Sequence, residues 1–314
     1  MNEHEIALRN VLRARASSRY GLWGQWAIAL AVAGYAIWAM AQNRNFGWQV
    51  AGEFLLDPTI LQGLLTTLGL TLVSMVLGTI LGLVLAIWRI GDNSLLQRIA
   101  GLYIWIFRGT PLLVQLIFWY NLSTLFPTIS LGLPFGHVFA TWNTNDLISP
   151  LTAAIAGLAL NEAAYMAEII RAGLLSVDSR QMETAQSFGM TRSRALRRVV
   201  IPQAMRSILP PAGNQLISMI KATSLVSVIA MSDLLYSAQT IYNRNFQVIP
   251  LLLVAVIWYL FITSILNIIQ SRIEIRFSRG HEISKKKIGI RPPFSLRQCA
   301  VRFKIFTQPK RGVE

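Results

Sequence analysis

The sequence predicts an all-α integral membrane protein. Two observations carry that prediction: long runs without charge, and a one-sided distribution of arginine and lysine. Hydrophobic residues make up 54% of the 314-residue chain and charged residues only 14%, where a soluble chain carries roughly a quarter. Mean hydropathy is +0.48. Asp, Glu, Lys and Arg are absent from 20–43, 58–88, 109–145 and 245–271. A helix that crosses a bilayer needs about 20 apolar residues at about 1.5 Å each. Lipid offers no partners to backbone N–H and C=O groups, so such runs close their hydrogen bonds as helices.

Taken in order, the runs give six spans, near 22–41, 60–88, 99–124, 149–173, 208–236 and 248–270. The first follows a polar leader containing Arg9, Arg13, Arg15 and Arg19. Arginines, an apolar run and Ala39-Met40-Ala41 also fit a cleaved signal peptide. The run exceeds a usual signal core and the leader is long, so the reading is an accessory span. The second span holds Gly63, Thr66, Gly69, Gly78 and Gly82, small and hydroxyl residues that let membrane helices approach closely. It is longer than a bilayer requires, so it tilts or projects. The third contains Pro111, which should bend it, with Arg108 at its inner end. Between the third and fourth, Leu125 to Ser149 carries Pro127, Gly132, Pro134 and Gly136. It reads as an external loop with room for a short re-entrant helix. His137 lies there without Cys or carboxylate at ligand spacing, so no metal site is expected. The fourth and fifth spans contain ionisable residues.

The net charge of +15 raises the question of nucleic acid. Its distribution answers it. With the amino terminus inside, four basic residues fall in the leader, three in 89–108, seven in 171–206 and twelve from Arg272 onward. Arg44 and Arg244 alone fall outside, and Lys221 lies within a span. This is the positive-inside pattern. It places both termini and the 171–206 segment in the cytoplasm and makes the charge a matter of topology. Cys299 is the sole cysteine, which excludes an internal disulfide. The tail with Lys285, Lys286 and Lys287 reads as basic and close to anionic lipid.

A polar island, Glu183-Thr184-Ala185-Gln186-Ser187-Phe188-Gly189-Met190-Thr191 followed by Ile201-Pro202, separates the fourth and fifth spans. Asp178 caps a short helix there, with Gln181 three positions on completing a capping box. Gly189 ends it in a left-handed turn. Such a rod of about 15 Å lies along a membrane and does not cross one. Met182, Ala185 and Gly189 share a face at helical spacing, so small residues there admit a partner groove. Glu183 is available to a basic or amide group on that partner. Pro202 starts the next helix. The plain alternative is a cytoplasmic loop with an ordinary capped helix.

The island resembles the EAA loop of membrane subunits of bacterial ABC importers. Glu183, Ala185, Gly189, Ile201 and Pro202 occupy its motif positions. Thr184 stands where Ala is usual, and Val200-Ile201-Pro202 stands where Ile-Leu-Pro is commoner. Four further segments are similar to polar-amino-acid permeases of the histidine/glutamine type. They are Gly63–Leu72, Tyr103–Gln115, Ala164–Gly173 and Leu209–Leu225. The resemblance implies a five-helix type I importer core over 58–275 with one extra N-terminal transmembrane helix in 1–57 and a basic cytoplasmic tail over 276–314. It implies an inner-membrane subunit taking up polar amino acids by alternating access. Its partners would be a dimer of ATP-binding subunits, a second permease, identical or related, and a periplasmic binding protein. No G-x-x-x-x-G-K-[ST] phosphate loop occurs in the chain, so ATP and Mg belong to the partner and this chain is not itself the enzyme.

Ionisable residues inside spans are costly and mark function or pairing. Asn161, Glu162 and Tyr165 are candidates for the translocation path, with Glu162 meeting a substrate amino group; the alternative is a structural contact between helices. Thr66 and Lys221 join them as candidates. Lys221 is expected to pair with a carboxylate or to meet Thr223 and Ser224. Glu168 and Arg171 stand at i,i+3. Asp233 is expected at water depth near the outer end of the fifth span. Three other readings stand beside the leading one: an importer of an opine or similar solute, a non-transporting scaffold or sensor that docks an ATPase, and a self-powered carrier. The last lacks an inverted repeat.

Overall fold

The computed structural model of the protein describes residues 19–132 and 138–278. Pro134, Gly136, His137, the polar leader up to Ser18 and the tail with its three lysines lie outside them. Helix α1 is Arg19–Gln42, followed by a 3-10 turn at Arg44–Phe46 and the short α2, Trp48–Phe54. Then come α3, Pro58–Ile90, α4, Ser94–Gly109, and α5, Leu112–Tyr120. Strands β1, Thr128–Gly132, and β2, Val138–Asn143, precede α6, Pro150–Leu175. The polar island forms α7, Ser179–Ser187. The remaining helices are α8, Ile201–Ala222, α9, Leu234–Asn245, and α10, Val248–Ser278.

Among the described residues α1, α3, α6 and α10 are each long and apolar enough to cross a membrane, and two bent pairs raise the number to six. Local chemistry sets where they start. Asp57 Oδ1 accepts from Thr59 N at 2.8 Å, with Pro58 at the first turn of α3, where its missing N–H has no consequence. At α6, Ser149 and Thr152 exchange side-chain and backbone hydrogen bonds in a capping box.

The parallel pair α3–α6 is the hub: Gly78 lies against Glu162 and, one turn on, Gly82 against Met166. A Cβ at Gly78 would lie 2.8 Å from Glu162 Cβ, and one at Gly82 would lie 2.9 Å from the Ala163 carbonyl oxygen. Only a missing side chain lets the backbones come so near. Toward the C-terminal end of α3 Ala86, Met166, Ile170, Ala204 and Ile208 bring α8 onto this pair. Toward its N-terminal end Ile60, Leu64, Leu234, Leu251 and Val254 join α3 to α9 and α10. Trp258 Nε1 donates to the Leu55 carbonyl there at 2.9 Å.

Three expectations are corrected. The third span is two helices, α4 and α5, meeting at 102°. Pro111 bends it as expected, but far beyond an ordinary proline kink, and polar side chains tie off the carbonyls freed at the corner. Gln115 Nε2 donates to the Phe107 and Thr110 carbonyls at 3.0 and 3.2 Å. The fifth span is not one helix over 208–236: α8 passes into a 3-10 turn, Thr223–Ile229, and α9 departs at 45°. Asp233 therefore sits at the start of a helix, fully buried, accepting from the Leu235 and Tyr236 amides and from the Tyr259 hydroxyl. A helix start needs an acceptor for its free N–H groups, and that need holds Asp233 inside. The stretch 125–149 holds an antiparallel strand pair, with Thr128 opposite Asn143 and Ile129 opposite Trp142, and then the short helix for which the sequence left room, Thr144–Leu147; β-branched and aromatic residues favour the strands.

Candidate coupling surface and intramembrane polar groups

The rod α7 is built by its two ends. Asp178 Oδ1 accepts from Arg180 N at 3.0 Å. Gln181 does not complete a capping box: its amide oxygen instead accepts from Gln203 Nε2 at 3.4 Å, across to α8. At the far end Gly189 has φ +80°, its N–H meets the Gln186 carbonyl, and Met190 N–H meets the Ala185 carbonyl. These two bonds make a Schellman ending. Open space surrounds Gly189, so glycine is needed there for the left-handed backbone and not for close approach.

The face with Ala185 points the other way from the expectation. Ala185 is 6% exposed and Met182 half-buried. Both sit on the chain's own segment 192–200, which α7 covers. Ala185, Met182 and Gly189 therefore do not form one outward face. The outward side holds Glu183, Thr184, Gln186, Ser187 and Phe188. Phe188 is 83% exposed. The sequence reading passed over it; its signal was a large aromatic in an otherwise polar run. Glu183 forms no ion pair among the described residues, and its carbonyl accepts from Ser187 Oγ.

The segment beneath the rod is a helical turn, Arg192–Ala195, then a π turn, Leu196–Val200. The wider turn fits Pro202, exposed in the first turn of α8. Proline has no N–H to donate, and its ring would press on the carbonyl four residues back in a regular α continuation. Ser176 Oγ donates to Ser207 Oγ at 2.9 Å, a second tie between the rod's foot and α8.

Within the spans the structure divides the candidate residues. Glu162 is 1% exposed; Gln215 Nε2 donates to Oε2 at 2.9 Å, and Oε1 has no hydrogen-bond partner. It faces α3 and α8. Asn161 turns instead to the α4–α5 corner, where Nδ2 donates to the Phe107 carbonyl and to Gln115 Oε1. Tyr165 shares that side, with Arg108 Cζ 5.3 Å above its ring. Thr66 donates back to the Gln62 carbonyl at 3.0 Å. Lys221 is exposed and has no ion pair among the described residues. The expected carboxylate partner is absent among the described residues, and Ser224 Oγ bonds the Lys221 carbonyl, not the ammonium. Glu168 and Arg171 do pair, at 2.8 Å. No cluster of metal-ligating residues occurs among the described residues.

A bundle of apolar spans around buried polar groups, with an amphipathic rod strapped to one end by its own side chains, defines a multi-pass membrane subunit of transport type. The chain belongs to the family of binding-protein-dependent transport system inner membrane components, whose model matches residues 78–279. It is 45% identical over 262 residues to the arginine transport system permease protein ArgU of Corynebacterium glutamicum, covering 83% of this chain and 81% of that one. It is 40% identical over 215 residues to the octopine transport system permease protein OccM of Rhizobium radiobacter, covering 68% and 82%. A solved amino acid ABC transporter with histidines aligns at a TM-score of 0.59 and 37% identity, over 70% of this chain and 94% of that one. The protein is thus a type I ABC importer permease of the amino-acid group, and an ATPase subunit is its partner. The opine alternative gains no advantage from these relatives.

Proposed function

We propose that this chain carries polar amino acids inward across the bacterial inner membrane, both termini in the cytoplasm. Two ATP-binding subunits holding ATP and Mg dock on the outward side of α7. A second permease, identical or related, completes the path, and a periplasmic binding protein delivers solute. The observation that carries the reading is the rod's exposed side, with Glu183 and Phe188 unpaired on a helix whose other side is fastened to α8. A partner groove that closes on ATP binding moves α7, and the ties Ser176–Ser207 and Gln181–Gln203 pass the motion to the span. Such coupling acts through different contacts in two states. Buried Ala185 holds the rod against the chain, while exposed Gly189 and Pro202 stay open to the partner beside Glu183.

For the path itself, we assign Asn161, Glu162, Tyr165, Thr66 and Lys221. An ammonium in hydrocarbon is expensive, so exposed Lys221 faces water or the second permease and suits a substrate carboxylate. Glu162, with one free oxygen, suits a substrate amino group once the helices part. The 45% identity to an arginine permease makes arginine and other polar amino acids the first substrates to test. Phe188→Ala and Glu183→Ala should each lower amino-acid uptake about tenfold in the reconstituted complex, the equivalent of about 1.4 kcal/mol in coupling. Each variant should leave the rod folded. Full uptake in the double variant would remove the docking role.

A further inference from the structure

A cleft of about 670 Å³ opens between the foot of α7, the first turns of α8 and the last turns of α10. It lies apart from the outward side of the rod and from the intramembrane groups. Its wall carries Asp178, Glu274 and Arg206, with Ser176, Gln203 and Ser207 between them. The three charged groups come from three different elements. Arg206 has no ion pair among the described residues. Asp178 uses Oδ1 for the Arg180 amide, and Glu274 uses Oε1 for Gln270 Nε2 at 2.9 Å. A second oxygen on each carboxylate is left over. Inner-leaflet phosphate fits poorly here, because two carboxylates outnumber one guanidinium. The complement is a small molecule with one anionic and two cationic groups, and the volume holds it with some water.

We infer that this cleft is a cytoplasmic regulatory site for a dibasic amino acid, whose carboxylate meets Arg206 and whose two cationic groups meet Asp178 and Glu274. The inference rests on the transport reading above and adds control by accumulated product. A ligand bridging the three elements staples α7 to the ends of α8 and α10. It therefore opposes any motion of the rod relative to them and slows ATP turnover.

The test uses the full complex in proteoliposomes with the ATPase side facing the medium. L-Arginine added there should lower ATP hydrolysis several-fold. Agmatine, which lacks the carboxylate, and L-citrulline, which lacks the second cation, should each be about tenfold weaker, the value of one lost charge-assisted contact. Arg206→Gln and Glu274→Gln should each raise the inhibitory arginine concentration about tenfold, and Arg206→Lys, which keeps the charge, should raise it less. Absence of inhibition in the wild type, or equal inhibition in all three variants, overturns the site while arginine uptake leaves the transport reading intact. Inhibition that follows the variants in a complex that takes up no amino acid supports the site and sinks the transport reading instead.

Discussion

Helices α1 and α6 have equal mean hydropathy over their most apolar windows, yet none of the α1 window is buried and 67% of the α6 window is. Apolarity brings a helix into a bilayer and says nothing about what it touches there, because lipid tails are as apolar as leucine. What differs is whether a stripe of small residues meets a facing helix within this chain. In α1, Gly24, Ala27, Ala31 and Gly34 share one side at helical spacing, yet open space surrounds both glycines. Trp23, Trp26, Tyr35 and Trp38 stand out between them, all more than half exposed. In α6, Ala159, Ala163, Met166, Ala167 and Ile170 line the side that meets α3 and its glycines. A stripe makes a hub only where a second helix of the chain brings small residues to meet it, as α3 does for α6 with Gly78 and Gly82.

The strongest way to break this comparison is to fill the groove. Gly82→Leu places a side chain against the Ala163 carbonyl and the Ala167 amide nitrogen, backbone atoms that cannot swing aside. A loss of about 3 kcal/mol is expected, read as a collapse of the detergent-solubilised protein's melting temperature. Ala31→Leu on α1, where nothing is packed, should melt with the wild type. If Gly82→Leu also does, the α3–α6 contact is wrong.

A smaller effect sharpens the same contrast through polarity. Gln215→Leu leaves Glu162 with neither oxygen bonded inside the bundle, at about 2 kcal/mol. Adding Glu162→Leu should recover part of that loss, because removing both partners is milder than stranding one. A double variant less stable than Gln215→Leu alone would show that Glu162 has another partner. The smallest effect is expected from deleting residues 1–42. Without α1 the melting temperature of the remainder should move by no more than about 2 °C, since none of its most apolar window is buried and it leans on the Arg44–Phe46 turn and the Trp48 bond to the Met40 carbonyl.

Much of the architecture was legible from residue order. Charge-free runs marked the apolar helices. Asp178 and Gly189 bracketed α7 to within two residues of its helical limits. Glu168 and Arg171, three apart on one helix, paired as local geometry requires. The misses share one cause. The direction of Ala185, the burial of Asp233 and the parting of Asn161 from Glu162 each depend on packing against a second element. Phe188 belongs with them, since an aromatic in a polar run reads as a buried anchor until one knows which side of the rod is covered.

Sequence alone settled that the chain belongs in a membrane and where a polar rod interrupts its apolar runs. Those are sums over neighbours along one helix: transfer of apolar groups into lipid, and closure of backbone hydrogen bonds. Only the tertiary structure decided which helix became the hub, how sharply the third and fifth spans turn, and which side of the rod was left for a partner. Those outcomes turn on close contact between helices, where the presence of one methylene decides whether two backbones can meet.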